Sequence, residues 1–388
     1  MNDHLSSTAI GAIEANRENL VSLSESLHAD PELAFEEHHA AALLTNMLRE
    51  EGFEVTDGVG DLPTAFDATF GSGALTIAVM AEYDALPEVG HACGHNLIAA
   101  AGVGTALGLK AVADECDVTL RVFGTPAEEG GGGKVLMLER GVFDGVNLAM
   151  MMHPWSFDRL ESACLAVDHF DVTFLGQSAH ASAAPSEGVN ASDAMTLAHV
   201  AIGLLRQQLP PGDQIHGVIT FGGDAANIIP AKVTARFMCR SRSVEGLEML
   251  RPRVNACFEA GALATGCSLK MEEIAPVYTH MEQDHDLVGL YRTHAEERGR
   301  RFELDDAGAP LPTYSTDMAN ISLAIPSIHP LVGIDSNGAV NHQPEFAAAC
   351  IGPSAETALI DGAIALCLTG IDAATTEPLR SRLLSRHI

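Results

Sequence analysis

Two stretches near the start of the chain, residues 8–29 and 37–52, carry apolar side chains at helical spacing and predict a pair of helices. Three apolar runs with β character follow, at residues 75–80, 118–123 and 146–152. A stretch rich in Ala, Leu and Gly between the first two runs is typical of a helix packed on a sheet. Because strands alternate with helices, we expect an α/β fold with a mostly parallel sheet flanked by helices.

The pattern changes in the middle of the chain, where FDVTFLGQSAHAS and HGVITFGGDAANIIPAKVTARFMCRS alternate apolar and polar residues. Such alternation is typical of half-exposed antiparallel strands. Two helical stretches accompany these strands, at roughly 190–208 and 245–264, and the α/β pattern then returns. We therefore predict an α+β module at residues 166–279, inserted into a domain formed by residues 1–165 and 280–388.

The composition supports two domains and narrows the function. The 388 residues are 47% apolar and 19% charged, which is enough for cores larger than one ordinary domain holds. Aromatic residues are scarce at 5%, which suits tightly packed α/β layers. A net charge of −30 gives a surface that repels phosphate backbones and anionic lipids, so we expect neither nucleic acid nor a membrane as partner.

The expected location of the protein is the cytoplasm. Its first residues lack a basic segment followed by an apolar run, and no uninterrupted apolar stretch reaches the ~18 residues of a transmembrane helix. The eight cysteines are scattered without CxxC pairs, which is typical of reduced thiols that serve mostly as small core residues.

Side chains that bind metals or protons follow each of the three predicted strands. They are Glu82, Asp84, His91, Cys93 and His95 after the first, Glu128 and Glu129 after the second, and His153 after the third. The carboxyl ends of strands in an open α/β sheet meet at one crevice, so these side chains converge. Cys, His and Glu bind Zn²⁺ and related ions, and the set exceeds the needs of one ion. We predict two metals that activate one water; His91 and Glu82 are either supports of the ligands or bystanders.

The adjacent pair Glu128 and Glu129 suggests a division of roles. Neighbouring residues beside a strand end point in different directions, so one carboxylate can bind metal while the other takes a proton from water. Four glycines follow and allow the backbone to turn closely around the site. A phosphate-binding loop is rejected, because Glu128 occupies its first glycine position and Val135 follows Lys134.

Two other functions are compatible with these residues. Cys93 with a nearby histidine would allow a metal-free amidase with a cysteine nucleophile, although the ligand-type residues at the other strand ends would then be unexplained. A non-catalytic protein that binds a small ligand or stores metal would need a broken base or a missing ligand, and none is visible.

A series of motifs runs through the chain: LHADPELAFEE, EYDALPEVGHACGHN, AEEGGGG, HPW, GQSAHASAAPSEGVNA, ANIIPA and NHQPEFA. Together they resemble the M20 metallopeptidase family, in particular its aminoacylases and its aminobenzoyl-glutamate and hippurate hydrolases with a cysteine ligand. The motifs keep the family's order from about residue 28 to residue 346. The resemblance implies a zinc-exopeptidase-like catalytic domain, an inserted lid and dimerisation domain, and a cytosolic homodimer that hydrolyses the amide bond of N-acyl amino acids or dipeptides.

The resemblance also implies roles for individual residues. Two divalent ions, Zn²⁺ or Mn²⁺, would be held by Cys93, His95, Glu129, His153 and His342. Glu128 would be the general base, and Asp84 would orient a ligand. In the inserted domain, His180 would reach the partner's active site and stabilise the oxyanion, while Asn227 and Arg240 would bind the substrate's carboxylate.

Three positions depart from the commoner pattern of the family. Asn96 stands where many relatives have aspartate, and Glu82 takes the acidic place two residues before Asp84. His342 lies in NHQPEFA rather than in the usual His-Thr/Ser-x-Glu-Phe, so its ligand role is predicted from the retained Glu-Phe spacing. His329 is the alternative ligand.

Overall fold

The chain divides into two compact units in the computed structural model, which describes residues 3–385. One unit comprises the residues up to Ala163 together with those from Met281 onward, and the other spans Cys164–His280. The predicted boundaries after residues 165 and 279 lie within two residues of these limits.

Strands and helices alternate through most of the described chain. The strands are β1 (Glu54–Asp57), β2 (Phe66–Phe70), β3 (Leu75–Glu82), β4 (Val118–Thr125), β5 (Leu148–Met150), β6 (His153–Trp155), β7 (Ala166–Leu175), β8 (Gln214–Phe221), β9 (Lys232–Ser241), β10 (Ser268–Glu273), β11 (Ser327–Ile328) and β12 (Leu331–Gly333). The α-helices are α1 (Asp3–Ala15), α2 (Arg17–Ala29), α3 (His38–Glu50), α4 (His95–Lys110), α5 (Ala113–Cys116), α6 (Gly133–Glu139), α7 (Ala191–Leu205), α8 (Val244–Thr265), α9 (His285–Glu297), α10 (Glu303–Asp306), α11 (Met318–Ala324), α12 (Pro344–Ala349), α13 (Pro353–Thr375) and α14 (Leu379–Leu384).

The opening helical region differs from the prediction in one respect. Residues 8–29 belong to two helices, α1 and α2, which meet at Asn16. The Asn16 side-chain amide donates to the carbonyl oxygen of Ala12 at 3.0 Å, and this local hydrogen bond competes with continuation of the helix. The second predicted helix, at residues 37–52, corresponds to α3.

The larger unit is built on a sheet with the strand order β1-β2-β4-β3-β5-β11. The strands β4, β3, β5 and β11 pair in parallel, whereas β1 and β2 form an antiparallel edge. β3 is buried at every position except Thr76, as a parallel strand covered on both faces requires. The predicted mostly parallel sheet flanked by helices is therefore confirmed.

The long helix α13 belongs to the core of this unit. Among residues 3–385, it is the one helix that could cross a membrane by length and composition alone. However, 89% of its apolar window is buried inside the protein. It packs against α4, where Gly108 leaves room for the Cys367 sulfur and the Ile13 side chain. We therefore assign α13 a packing role.

The smaller unit is an α+β module. Its sheet has the order β10-β7-β9-β8, and all neighbouring strands run antiparallel. Helices α7 and α8 cover one face, where Phe170, Phe237 and Phe258 pack together in the core. β8 lies at the edge of the sheet and is exposed along most of its length. An exposed edge strand of this kind offers backbone groups to which another strand can pair.

Candidate active site

The strand ends of the parallel sheet bring distant ligand residues to one place. Glu82 ends β3 and is paired in register with Thr125, the last residue of β4. Glu128 and Glu129 follow that strand after two intervening residues, and His153 begins β6 just beyond β5. The parallel pairing explains why residues separated by up to 71 positions meet, as expected for the carboxyl ends of strands.

Donor atoms gather there in three overlapping groups, in each of which all ligand atoms lie within 4.8 Å of one another. These groups are Cys93 with His95 and His153, Cys93 with Glu129 and His342, and Glu82 with His95 and Glu128. Cys93 is common to the first two groups, so its sulfur can serve two neighbouring ions. All five predicted metal ligands are thus brought together.

Three buried atoms in these groups have no hydrogen-bond partner: His95 Nε2, Glu82 Oε1 and Glu129 Oε1. Buried polar atoms in proteins are nearly always hydrogen-bonded, so three unpaired atoms facing one cluster require a specific explanation. A thiol, imidazoles and carboxylates together form a donor set for divalent transition-metal ions. The residues therefore fit such ions.

Hydrogen bonds to neighbouring groups orient the two buried histidines. His95 Nδ1 lies 2.8 Å from the Asp84 carbonyl oxygen and 3.0 Å from Asp84 Oδ1. His153 Nδ1 lies 2.8 Å from the carbonyl oxygen of Pro154. In each ring Nδ1 is the donor, which leaves Nε2 to bind a cation. Asp84 Oδ2 also accepts from the Glu129 backbone N–H at 2.9 Å, so one carboxylate positions two ligand residues.

The site carries an excess of buried negative charge. Burial raises the pKa of Glu128 well above its usual value, and the carboxylates of Glu82 and Glu129 add to this effect. Burial also raises the pKa of the Cys93 thiol well above normal, with a further contribution from Glu129. Although burial alone would lower it, Glu82 and Asp84 hold the pKa of His95 well above its usual value. Cations would relieve this repulsion between carboxylates.

A strained turn presents the Glu128–Glu129 pair. Ala127 has a left-handed φ of 59°, an unfavourable conformation for a residue with a Cβ. Its N–H donates to Glu37 Oε1 at 2.9 Å, and Glu37 Oε2 accepts from the Thr64 hydroxyl at 2.8 Å. Burial raises the pKa of Glu37 to about 7. Glu37 lies in the motif LHADPELAFEE, but no individual role was predicted for it.

His342 reaches the site from a second strained turn. Its φ is 71°, and its N–H donates to the carbonyl oxygen of Ala92 at 2.9 Å, next to Cys93. His342 Nε2 lies 3.7 Å from Glu129 Oε1. His329 instead lies with its ring 5.6 Å from that of His153 and belongs to none of the ligand groups. The geometry thus favours His342 over His329 as the remaining ligand.

A buried ion triad, which was not predicted from the sequence, lies beside the ligand residues. Lys134 Nζ contacts Glu82 Oε2 and lies 2.7 Å from Asp317 Oδ1. The Lys134 backbone N–H also donates to Asp317 Oδ2 at 2.9 Å, and all three side chains are fully buried. The available signal was a single lysine in the otherwise apolar start of α6, GKVLMLE. The sequence motif around Lys134 indicated only that a phosphate-binding loop is absent, and it predicted no role for the lysine itself.

Asn96 and His91 face other surroundings. The Asn96 amide donates to Ser24 Oγ at 2.8 Å and to the carbonyl oxygen of Cys350 at 3.0 Å, and so ties α4 to α2. His91 stacks on His28 with ring centroids 6.3 Å apart. Burial, with a contribution from the charge of His95, lowers the pKa of His91 to about 3. Neither residue belongs to a ligand group.

The predicted residues of the inserted unit lie at two separate places. The His180 and Asn227 loops are adjacent, because the N–H of Ala181 donates to the carbonyl oxygen of Asn227 at 3.0 Å. Arg240 lies at the opposite end of β9, paired in register with Gln214. β9 has 10 residues, a length of about 30 Å. One small ligand therefore cannot contact both ends of this hairpin within one copy of the chain.

Comparisons with known proteins identify the family of this chain. The model of peptidase family M20/M25/M40 matches residues 78–359. The chain is 38% identical over 375 residues to the Xaa-Arg dipeptidase of Mus musculus, covering 93% of this chain and 86% of that protein. It is 34% identical over 275 residues to a p-aminobenzoyl-glutamate hydrolase chain of Escherichia coli K12, covering 66% and 57% respectively. The solved YxeP protein of Bacillus subtilis, a dinuclear metal binding peptidase from the M20 family, shares the fold with a TM-score of 0.66 at 22% identity, covering 92% of this chain and 99% of YxeP.

The parallel sheet, the clustered ligand residues and the adjacent carboxylates define an amide-bond hydrolase. The chain belongs to peptidase family M20/M25/M40. The predicted family, fold class and reaction class are therefore confirmed. The relatives are hydrolases, and they support neither the metal-free cysteine amidase nor the non-catalytic binding protein.

Proposed function

We propose that the chain is a two-metal hydrolase in which Cys93, His95, Glu129, His153 and His342 hold the ions and Glu128 is the general base. The observation that carries this assignment is the set of buried, unpaired donor atoms within the overlapping ligand groups. The description of YxeP as a dinuclear metal binding peptidase supports the number of ions. The donor set suits Zn²⁺ or Mn²⁺.

The protein side chains handle the proton in this proposal. When bound, the ions lower the pKa of a water molecule and polarise the carbonyl group that it attacks. Glu128 accepts a proton from that water at its carboxylate and returns it to the nitrogen of the leaving amine. Asp84 fixes the ring of His95 and the backbone of Glu129, so that these two ligands keep their positions.

Glu128 suits this proton transfer because it lies beside the ligand residues in a buried environment. Its carboxylate oxygen is within 4.8 Å of donor atoms of His95 and Glu82. Burial and neighbouring carboxylates raise its pKa, which makes the group a better proton acceptor. Bound cations would bring that pKa down again, towards the range in which a carboxylate can both take and release a proton.

We propose dipeptides with a basic C-terminal residue as the preferred substrates. The Xaa-Arg dipeptidase of Mus musculus, a relative at 38% identity, is named for such dipeptides. The net charge of −30 supports the choice, since a cationic substrate is attracted to this surface and an anionic one is repelled. N-acyl amino acids and aminobenzoyl-glutamate are the second candidates. A panel of Xaa-Arg, Xaa-Lys and Xaa-Glu dipeptides, with aminobenzoyl-glutamate, compared by kcat/KM, tests the order.

Removal of metal tests the proposed chemistry. We expect exhaustive chelation to abolish turnover, and addition of Zn²⁺ or Mn²⁺ to restore it, because the proposed attacking water depends on a bound cation for its lowered pKa. The measurement is dipeptide hydrolysis before chelation, after chelation and after metal addition. Activity that survives chelation but is lost on thiol alkylation would instead favour Cys93 as a nucleophile.

We further propose that the inserted unit joins two copies of the chain. On α7, Val200 is 56% and Leu204 71% exposed, and Val218 on β8 is 61% exposed. The exposed edge strand β8 and the exposed apolar positions of α7 are each surfaces suited to pairing with an identical copy. Within one copy, Arg240 is too far from His180 and Asn227 to contact the same substrate. In a homodimer, His180 and Asn227 of one copy could contact a substrate together with Arg240 of the other copy.

The dimer proposal predicts that Leu204→Glu yields a monomer. A carboxylate on the apolar face of α7 would have to be buried without a partner on association. The molar mass measured by light scattering should fall by half, and kcat should fall with it because the oxyanion contact of His180 comes from the second copy. Leu263→Glu, at a position on α8 that is 87% exposed, is the matched control and should stay dimeric. A dimeric, fully active Leu204→Glu protein would contradict the proposal.

A further inference from the structure

We propose that Glu82 is an additional metal ligand, which binds the ion at His95 through Oε1 while its other oxygen is neutralised by Lys134. This inference rests on the proposed two-metal site and adds a residue to it. The ligand set implied by the family resemblance contains one carboxylate, that of Glu129. Glu82 would supply a second.

The geometry at Glu82 Oε1 is the first argument. This oxygen lies 3.0 Å from His95 Nε2, yet neither atom has a hydrogen-bond partner, although both are buried. His95 Nδ1 already donates to Asp84, so Nε2 is the ring nitrogen that faces this carboxylate oxygen. A cation bound to both atoms would give each buried atom a partner and would offset the negative charge of the site.

The separation of the two atoms also suits a shared ion. The two atoms are 3.0 Å apart, which is less than twice a typical metal–ligand bond length of about 2.1 Å, so one ion can bind both of them. Glu82 and His95 also belong to one ligand group, whose donor atoms all lie within 4.8 Å of one another.

Lys134 explains why a carboxylate in this position remains available to a metal. The contact of its ammonium group with Glu82 Oε2 keeps the side chain ionised and fixes its orientation, so that Oε1 points at His95. Asp317, the other partner of Lys134, has both oxygens occupied by the lysine, Oδ1 by the ammonium group and Oδ2 by the backbone N–H. The two carboxylates of the triad therefore differ in one respect: only Glu82 has an unpaired oxygen directed at the ligand cluster.

This difference supplies a matched pair of variants. Glu82→Gln and Asp317→Asn each remove one negative charge from Lys134, but only Glu82→Gln removes a proposed ligand. We would titrate each metal-free protein with Zn²⁺ against a competing fluorescent chelator, to obtain the two stepwise dissociation constants. Thermal unfolding of the metal-free forms reports whether each variant is folded.

We expect Glu82→Gln to weaken one of the two binding steps by at least roughly tenfold, with the other step unchanged. Asp317→Asn should retain both constants near those of the wild type. The Co²⁺-loaded proteins give a second readout: the visible d–d bands should gain intensity in Glu82→Gln, because loss of a ligand lowers the coordination number, while the charge-transfer band of Cys93 persists. Glu82→Asp, which keeps the charge beside Lys134 but shortens the side chain, should show the same selective loss.

The possible results separate the two proposals. Wild-type protein that binds no transition-metal ion would refute the proposed function itself. Wild-type protein that binds two ions, with Glu82→Gln and Asp317→Asn giving the same constants as each other, would refute only the role of Glu82 and would leave it as a structural partner of Lys134.

Discussion

Replacement of Glu128 by glutamine will lower kcat by roughly 10²–10⁴-fold while both ions stay bound, which is the range expected for loss of a general base. Glutamine has nearly the same shape as glutamate, but its amide cannot accept the proton of an attacking water. Glu128 shares no ligand group with Cys93 and lies beside His95 and Glu82, and we assign its carboxylate to proton transfer, the role that the family resemblance implies. The measurement is steady-state hydrolysis together with metal content per chain.

The neighbouring carboxylate provides the control for this prediction. Glu129 Oε1 lies in a ligand group with Cys93 and His342, so Glu129→Gln should lose metal as well as activity. Excess Zn²⁺ or Mn²⁺ should restore part of the activity of Glu129→Gln but none of that of Glu128→Gln. A Glu128→Gln protein with near-normal kcat, or with a lowered metal content, would contradict the division of roles between the two adjacent residues.

The positions of the main ligand residues could be predicted from sequence because the backbone decides them. Parallel strands bring their carboxyl ends to one edge, so residues that follow β3 and β4 must be neighbours whatever their side chains do. Cys93 and His153 could be grouped with Glu129 on this basis alone. The role of His342 needed the family resemblance, because its position depends on a left-handed turn in an irregular segment.

The supports of the site could not be predicted, because each depends on contacts between distant side chains. Glu37 hydrogen-bonds to the backbone of Ala127, 90 residues later, and Lys134 pairs with Asp317, 183 residues later. No periodicity links such positions. A buried lysine or glutamate is costly unless it is paired, so a charged residue within an apolar segment is the kind of signal that would have marked Lys134.

The ion triad gives the prediction with the largest effect on stability. Lys134→Met will lower the free energy of unfolding by about 3–5 kcal/mol, the usual cost of breaking a buried ion pair from one side. The cause is that Glu82 and Asp317 would remain as neighbouring buried carboxylates without a cation. Burial raises the pKa of Asp317 to about 6 even with Lys134 beside it, which shows how poorly this environment tolerates the charge.

The size of this effect can be checked against a lysine at the surface. Lys110 Nζ lies 3.0 Å from Glu51 Oε2, but both side chains are partly exposed, so Lys110→Met should cost no more than about 1 kcal/mol. Urea unfolding of the metal-free proteins, with a chelator present, measures folding without a contribution from metal binding. The double variant Lys134→Met/Glu82→Gln should be more stable than Lys134→Met alone, because it removes one of the two uncompensated charges. If instead the two lysine variants lose equal stability, or if the double variant loses the sum of its single effects, Lys134 does not neutralise a buried carboxylate pair, and the orientation of Glu82 must have another cause.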